Sequence, residues 1–243
     1  ADDHDRDAQH RWVLEHNRAQ LLAVLGRSEE SLAGYDLLVR IDPHHSEYHL
    51  DRAGVLRRLG RLDEADAELT ESIRLSPPYP EPVYNRADLR ASMGDLDGAI
   101  GDLRYVLQLD PEFPSARVNL AGLLLDRDEP EASRQVASEG LAGNPRDPAL
   151  LTAQAQSNQE LGELESAKRG YDAALTADPG YVPALAGRAI LAFDADTVDS
   201  LGRAVADLER AVLLNGDPDL SDNLELARRR RDLLAQTAAA AIS

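Results

Sequence analysis

The stretch Arg52-Ala53-Gly54-Val55-Leu56-Arg57-Arg58-Leu59-Gly60-Arg61-Leu62-Asp63-Glu64-Ala65 returns 34 residues later as Arg86-Ala87-Asp88-Leu89-Arg90-Ala91-Ser92-Met93-Gly94-Asp95-Leu96-Asp97-Gly98-Ala99. Alanine, glycine and alanine recur at fixed offsets, with apolar residues three and four apart between them. That spacing predicts two amphipathic helices joined by a glycine turn. The same period of 34 runs outward in both directions, marked by Pro43, Pro77, Pro111, Pro145 and Pro179. A proline just after a helix cannot continue it, so each repeat reads helix, tight turn, helix, proline turn. A period of this length is the signature of stacked helical hairpins.

In a 34-residue frame opened at Trp12, the first places are Trp12, Ser46, Pro80, Pro114, Pro148 and Val182. The eighth place is alanine every time: Ala19, Ala53, Ala87, Ala121, Ala155 and Ala189. A small residue there lets the second helix approach closely. The fifteenth place holds Gly26, Gly60, Gly94 and Gly162, with Asp128 and Asp196 in the fourth and sixth frames. Glycine suits a left-handed helix C-cap. The sixth frame takes up about three extra residues between Asp194 and Leu201, and Gly216 stands where the other frames carry proline.

These residues resemble the tetratricopeptide repeat family over six repeats. The resemblance implies an all-α fold, a right-handed superhelical solenoid of antiparallel helix pairs. The expected organisation is an N-terminal extension, partly helical, at 1–11. Six repeats follow at 12–45, 46–79, 80–113, 114–147, 148–181 and 182–217, then a capping helix and tail at 218–243.

Composition narrows the function. The net charge is −18, which disfavours nucleic acid and anionic membrane and favours a basic or neutral protein or peptide partner. There is no cysteine, hence no disulfide or thiolate site. No apolar run approaches a membrane span. Ala1-Asp2-Asp3-His4-Asp5 is unlike a signal peptide, and a cytoplasmic location is expected. The absent initiator methionine points to a processed form or a piece of a longer chain. One lysine, Lys168, stands beside 25 arginines, a bias of GC-rich genomes.

Two patterns single out residues. The seventh place carries Arg18, Arg52, Arg86 and Arg188, but Leu120 and Gln154 in the fourth and fifth frames. Acids Glu68, Asp102 and Asp207 appear in the second helices of the second, third and sixth frames, while Val136 and Gly170 stand in the fourth and fifth. Only Arg18, facing Gly34, has no acid. Arginine beside a buried alanine needs a partner, so the pairs Arg52–Glu68, Arg86–Asp102 and Arg188–Asp207 are expected as structural ion pairs. The sixth place holds Asn17, Asp51, Asn85, Asn119, Ala153 and Gly187. Asparagine is unfavourable inside a helix, and its amide both donates and accepts. Two readings follow: a ladder, Asn17–Asn85–Asn119 interrupted by Asp51, that holds the backbone of an extended peptide, or bonds to neighbouring groups.

The family resemblance places the first helices on a concave face. Arg57, Arg58, Tyr84 and Asp88 join the asparagines there as expected peptide-binding residues. His16, Leu50 and Val118 are further pocket candidates, and Glu47, Glu81, Asp126, Glu160 and Asp194 make the surface acidic. The family's carboxylate clamp needs more basic residues than Arg57 and Arg58.

No catalytic constellation, phosphate loop or cofactor motif occurs, so no enzyme activity and no cofactor are expected. His45 and His49 with Asp42 have metal-like spacing, but a turn and a packed helix position explain them as well. Arg228-Arg229-Arg230-Arg231 reads as a solvated cap, or as a docking strip for an acidic partner. The expectation is a non-catalytic scaffold or adaptor. The alternatives are a sensory or regulatory domain of a larger protein, or an accessory subunit of a partner enzyme.

Overall fold

The structure, a computed structural model, describes residues 3–240, and every described element is helical. Residues 1–2 and 241–243, part of the expected extension and tail, lie outside the described residues. Thirteen helices follow one another among the described residues. They are α1 (Asp3–Val24), α2 (Ser28–Ile41), α3 (Ser46–Arg58), α4 (Leu62–Leu75), α5 (Pro80–Ser92) and α6 (Leu96–Leu109). Then come α7 (Pro114–Asp126), α8 (Pro130–Gly143), α9 (Pro148–Glu160) and α10 (Leu164–Ala177), and finally α11 (Val182–Asp194), α12 (Val198–Asn215) and α13 (Pro218–Ala240). The helices group into two compact units, 1–116 and 117–243. None is long and apolar enough to cross a membrane.

Local chemistry explains the regular boundaries. Pro80, Pro130 and Pro148 open helices at the first turn, where no amide hydrogen is needed. After the second helix of a repeat, Asp42, Asp110 and Asp178 accept a backbone N–H two residues on, at 3.2, 3.0 and 2.8 Å. These side-chain turns account for the aspartate that precedes each of those prolines. The turn between paired helices has positive φ at Gly26, Gly60, Gly94 and Gly162, between 74° and 83°. Asp128 and Asp196 adopt it too, at 61° and 46°. A non-glycine residue is strained there by about 1 kcal/mol or more. Asp128→Gly is therefore expected to stabilise the second unit by about 1 kcal/mol, read as a higher urea midpoint. No gain would mean that aspartate's own hydrogen bonding relieves the strain.

In the first unit the core gathers Tyr35, Leu38, Val55, Leu56 and Leu89 around the small residues Ala19, Ala53 and Ala65. The helices touch closely: a Cβ on Gly34 would lie 3.0 Å from the Ala19 Cβ. The second unit repeats the device, with a Gly170 Cβ falling 2.8 Å from that of Ala155. Its core runs through Tyr171, Leu185, Ala189 and Ala204 to Leu220 and Leu224 of α13.

The sixth repeat absorbs its extra residues inside a helix. α12 starts 34 residues after α10 but runs for 18 residues, where α2, α4, α6, α8 and α10 have 14. The added turn begins with Thr197 and Ser200, each capping the other's backbone N–H. It carries Leu201 into the core before Ala204 resumes the pattern. Gly216, φ 65°, ends α12 in the left-handed conformation. The arginine run then docks α13: Arg228 binds Glu209 at 2.7 Å, and Arg230 binds Asp196 at 2.8 Å. Arg229 and Arg231 pair with Glu225 and Asp232 on their own helix.

Candidate partner-binding groove

Three of the four seventh-place arginines, Arg52, Arg86 and Arg188, each hold three helices. Arg86 on α5 grips Asp102 on α6 through both carboxylate oxygens, at 2.9 and 2.7 Å, and reaches Thr70 on α4 at 3.1 Å. Arg188 on α11 grips Asp207 on α12 in the same way, at 2.8 Å twice, and Asp172 on α10 at 2.6 Å. These bonds, that to Asp207 foremost, raise the pKa of its guanidinium. Arg52 on α3 bonds Glu68 on α4 at 2.7 Å and lies 2.7 Å from Asp36 on α2. The expected partner is present in each case, and a second one on the preceding hairpin was not anticipated. Gln154 keeps that second link without charge, donating to Ser138 at 2.9 Å. Arg18 has no preceding repeat and turns to Glu15 on its own helix at 3.3 Å.

With those side chains committed, the sixth place decides what the first unit presents. Asp51 is not available: its Oδ2 receives His16 Nε2 at 2.7 Å, Gln20 Nε2 at 3.1 Å and the Tyr35 hydroxyl at 3.1 Å. Burial first and the charge of Asp51 second push the Tyr35 pKa up, so its hydroxyl stays a donor. His16, expected as a pocket residue, is packed edge-on against the rings of Tyr35 and Tyr48. Asn85 differs. Its amide is half-buried on α5 and has no partner in the structure. It faces a groove of about 440 Å³ between α3 and α5, floored by Leu50, Ala53, Leu69 and Leu89. Arg57 and Arg58 form its other wall. Arg57 is tied across the groove to Asp88 at 2.6 Å, whereas Arg58 is exposed and unpaired.

The remaining expected residues are placed as follows. Asn17 is exposed on α1 and bears a free amide. Tyr84 is half-buried with its ring 5.0 Å from that of Phe113. Asn119 is half-buried on α7, in the second unit.

The structure also explains two of the three sixth places that lack asparagine, Asp51 and Gly187. Tyr171, 34 × 4 residues after Tyr35 in the frame, points its ring at Gly187, where a Cβ would sit 2.5 Å from Tyr171 Cε1. Its hydroxyl donates to Gln159 at 2.9 Å, and burial raises its pKa. Each tyrosine thus governs the sixth place of the next repeat, taking the side chain of Asp51 in one case and its space at Gly187 in the other. Leu69 holds the tyrosine's place before Asn85, and there the amide is left free. The signal lay in the sequence, but at an offset that crosses the repeat boundary.

Comparison with characterised protein sequences gave no match. Family models described as tetratricopeptide repeat match residues 16–80 and 90–157, together more than half of the chain. Among solved structures, a tetratricopeptide repeat protein from Parabacteroides merdae is similar at TM-score 0.69 and 17% identity, over 89% of this chain and 98% of that one. MamA is similar at TM-score 0.64 and 14% identity, over 69% and 92%. YrrB, described as a protein with an unusual peptide-binding site, is similar at TM-score 0.57 and 15% identity, over 80% and 97%.

Proposed function

We propose that this chain, which belongs to the tetratricopeptide repeat family, holds an extended peptide of a partner protein in the groove between α3 and α5. Repeats of this family serve as protein–protein interaction scaffolds. The observation that carries the finer reading is the unpartnered amide of Asn85 at the mouth of an apolar-floored groove. Such an amide keeps its donor and its acceptor open for a ligand that reaches the groove. A peptide unit offers one donor and one acceptor, which a single carboxamide meets together. Leu50, Leu69 and Leu89 then receive an apolar side chain. Asn17 supplies a second amide on the same unit.

The charge preference follows from what is committed. Asp51 and Asp88 are already paired, so the groove itself is less acidic than the sequence suggests. Arg58 is its free charge, and the chain's −18 opposes a strongly acidic partner. A near-neutral segment with one acidic or carbonyl contact fits best.

Selection of a displayed heptapeptide library on the protein supplies the probe. The selected peptide is expected to bind Asn85→Ala about tenfold more weakly than wild type. N-methylation of one peptide bond should give a similar loss, because the amide reads backbone. Equal affinity for wild type and Asn85→Ala removes this reading.

A further inference from the structure

We propose a second ligand site in the other unit: the cleft between α10 and α12, shaped for a small apolar molecule that ends in a single carboxylate. It is independent of the peptide groove.

The argument starts from how the first unit closes the same gap. Between α4 and α6, Arg90 reaches up from α5 and binds Asp66 on one side at 2.8 Å and Asp102 on the other at 3.0 Å. In the frame of the repeats, Arg90 corresponds to Ala192 and Asp66 to Lys168. The bridging arginine is missing and its acceptor has changed sign. Asp207, the counterpart of Asp102, is taken by Arg188 together with Asp172. Arg188 joins α10 to α12 one helical turn before Ala192, but no side chain takes the place of Arg90 beyond it, and a cleft of about 580 Å³ stays open. That is a size typical of small-molecule sites.

The lining states the ligand's chemistry. Leu191, Ala192 and Ala206 make an apolar floor, extended by Leu164 and Ala195 towards the helix ends. Lys168 on α10 and Arg203 on α12 line the two walls, both exposed and both without a partner in the structure. Lys168 is the sole lysine of the chain. Arg203 lies in α12 just beyond the turn that its extra residues add. Elsewhere on this protein most arginines are paired within the fold, so two free cations on one cleft form an anion-binding element. Charge-assisted bonds to a carboxylate are the strong contacts available to them. Glu165, one turn before Lys168 on α10, and Asp194, at the end of α11, also line the cleft. They oppose a second negative charge and so favour a monoanion with its apolar part over Leu164.

The test uses the full chain and the apolar anion 8-anilinonaphthalene-1-sulfonate as fluorescent probe. Ala192→Arg restores the bridging arginine and should fill the cleft. A second variant, Lys168→Gln with Arg203→Gln, keeps the volume and removes the charges. Circular dichroism melts establish that both remain folded. Each variant is expected to bind the probe at least about tenfold more weakly. Octanoate should displace the probe from the wild type, and octanol should not. Unchanged probe affinity in both variants overturns the proposal, because the dye is then on another apolar surface. Equal displacement by octanol and octanoate overturns the carboxylate. Displacement only by an acidic peptide, and not by octanoate, moves the site to a protein ligand and equally overturns it.

Discussion

Arg86→Leu lowers the stability of the first unit by about 3 kcal/mol, and adding Asp102→Val recovers most of that loss. The Arg86 and Asp102 side chains are only 16% and 8% exposed, so the ion pair is largely desolvated. Removing the arginine strands a buried carboxylate whose remaining cation, Arg90, is shared with Asp66. Removing both charges leaves no orphan, and Arg90 keeps Asp66. The chain itself contains the apolar version, since the fourth repeat has Leu120 and Val136 at these two places. Urea denaturation followed by circular dichroism gives both values. A neutral single variant would show that the pair contributes nothing. A double variant no better than the single one would show that the loss arises from packing and not from the stranded charge.

The second large effect is expected at Gly187. Gly187→Asn restores the residue that three other repeats carry, yet it should destabilise the second unit by about 3 kcal/mol, the upper range for overpacking. The added Cβ would meet the buried Tyr171 ring at 2.5 to 2.7 Å, and the ring is held by packing and by Gln159. Tyr171→Leu in the same chain should relieve the clash, reproducing the arrangement of Leu69 before Asn85. Thermal melts of the single and double variants check it. If Gly187→Asn melts like wild type, the tyrosine yields freely and its control of the neighbouring place is not real.

These two cases show what was legible in the sequence. The hairpins were, because a fixed alanine, a left-handed turn and a proline recur in step with the period. The arginine–acid pairs were legible for the same reason: both members sit within one repeat and vary together. The exhausted asparagine positions were not, because their cause lies one hairpin earlier. Tyr35 and Tyr171 act on Asp51 and Gly187 across the proline turn, and a reading confined to single repeats does not compare those places. The pairing of Asp51 and Asp88 was hidden likewise, since their partners stand on neighbouring helices. The cleft beside Lys168 depends on an arginine that is absent, which is visible only once Arg90 is seen spanning its own gap.

The arginines that clamp three helices have a consequence for how the protein opens. Each ties a hairpin to its predecessor, so in a repeat array they belong to the nearest-neighbour coupling and not to the intrinsic stability of one repeat. Within the second unit, Arg188 couples α10 to α11 and α12 with charge. The step before it has the neutral Gln154–Ser138 bond and the exposed Arg134–Glu163 pair, a weaker joint. Amide hydrogens of α11 and α12 should therefore exchange as one cooperative block with α10, while α8 exchanges ahead of them.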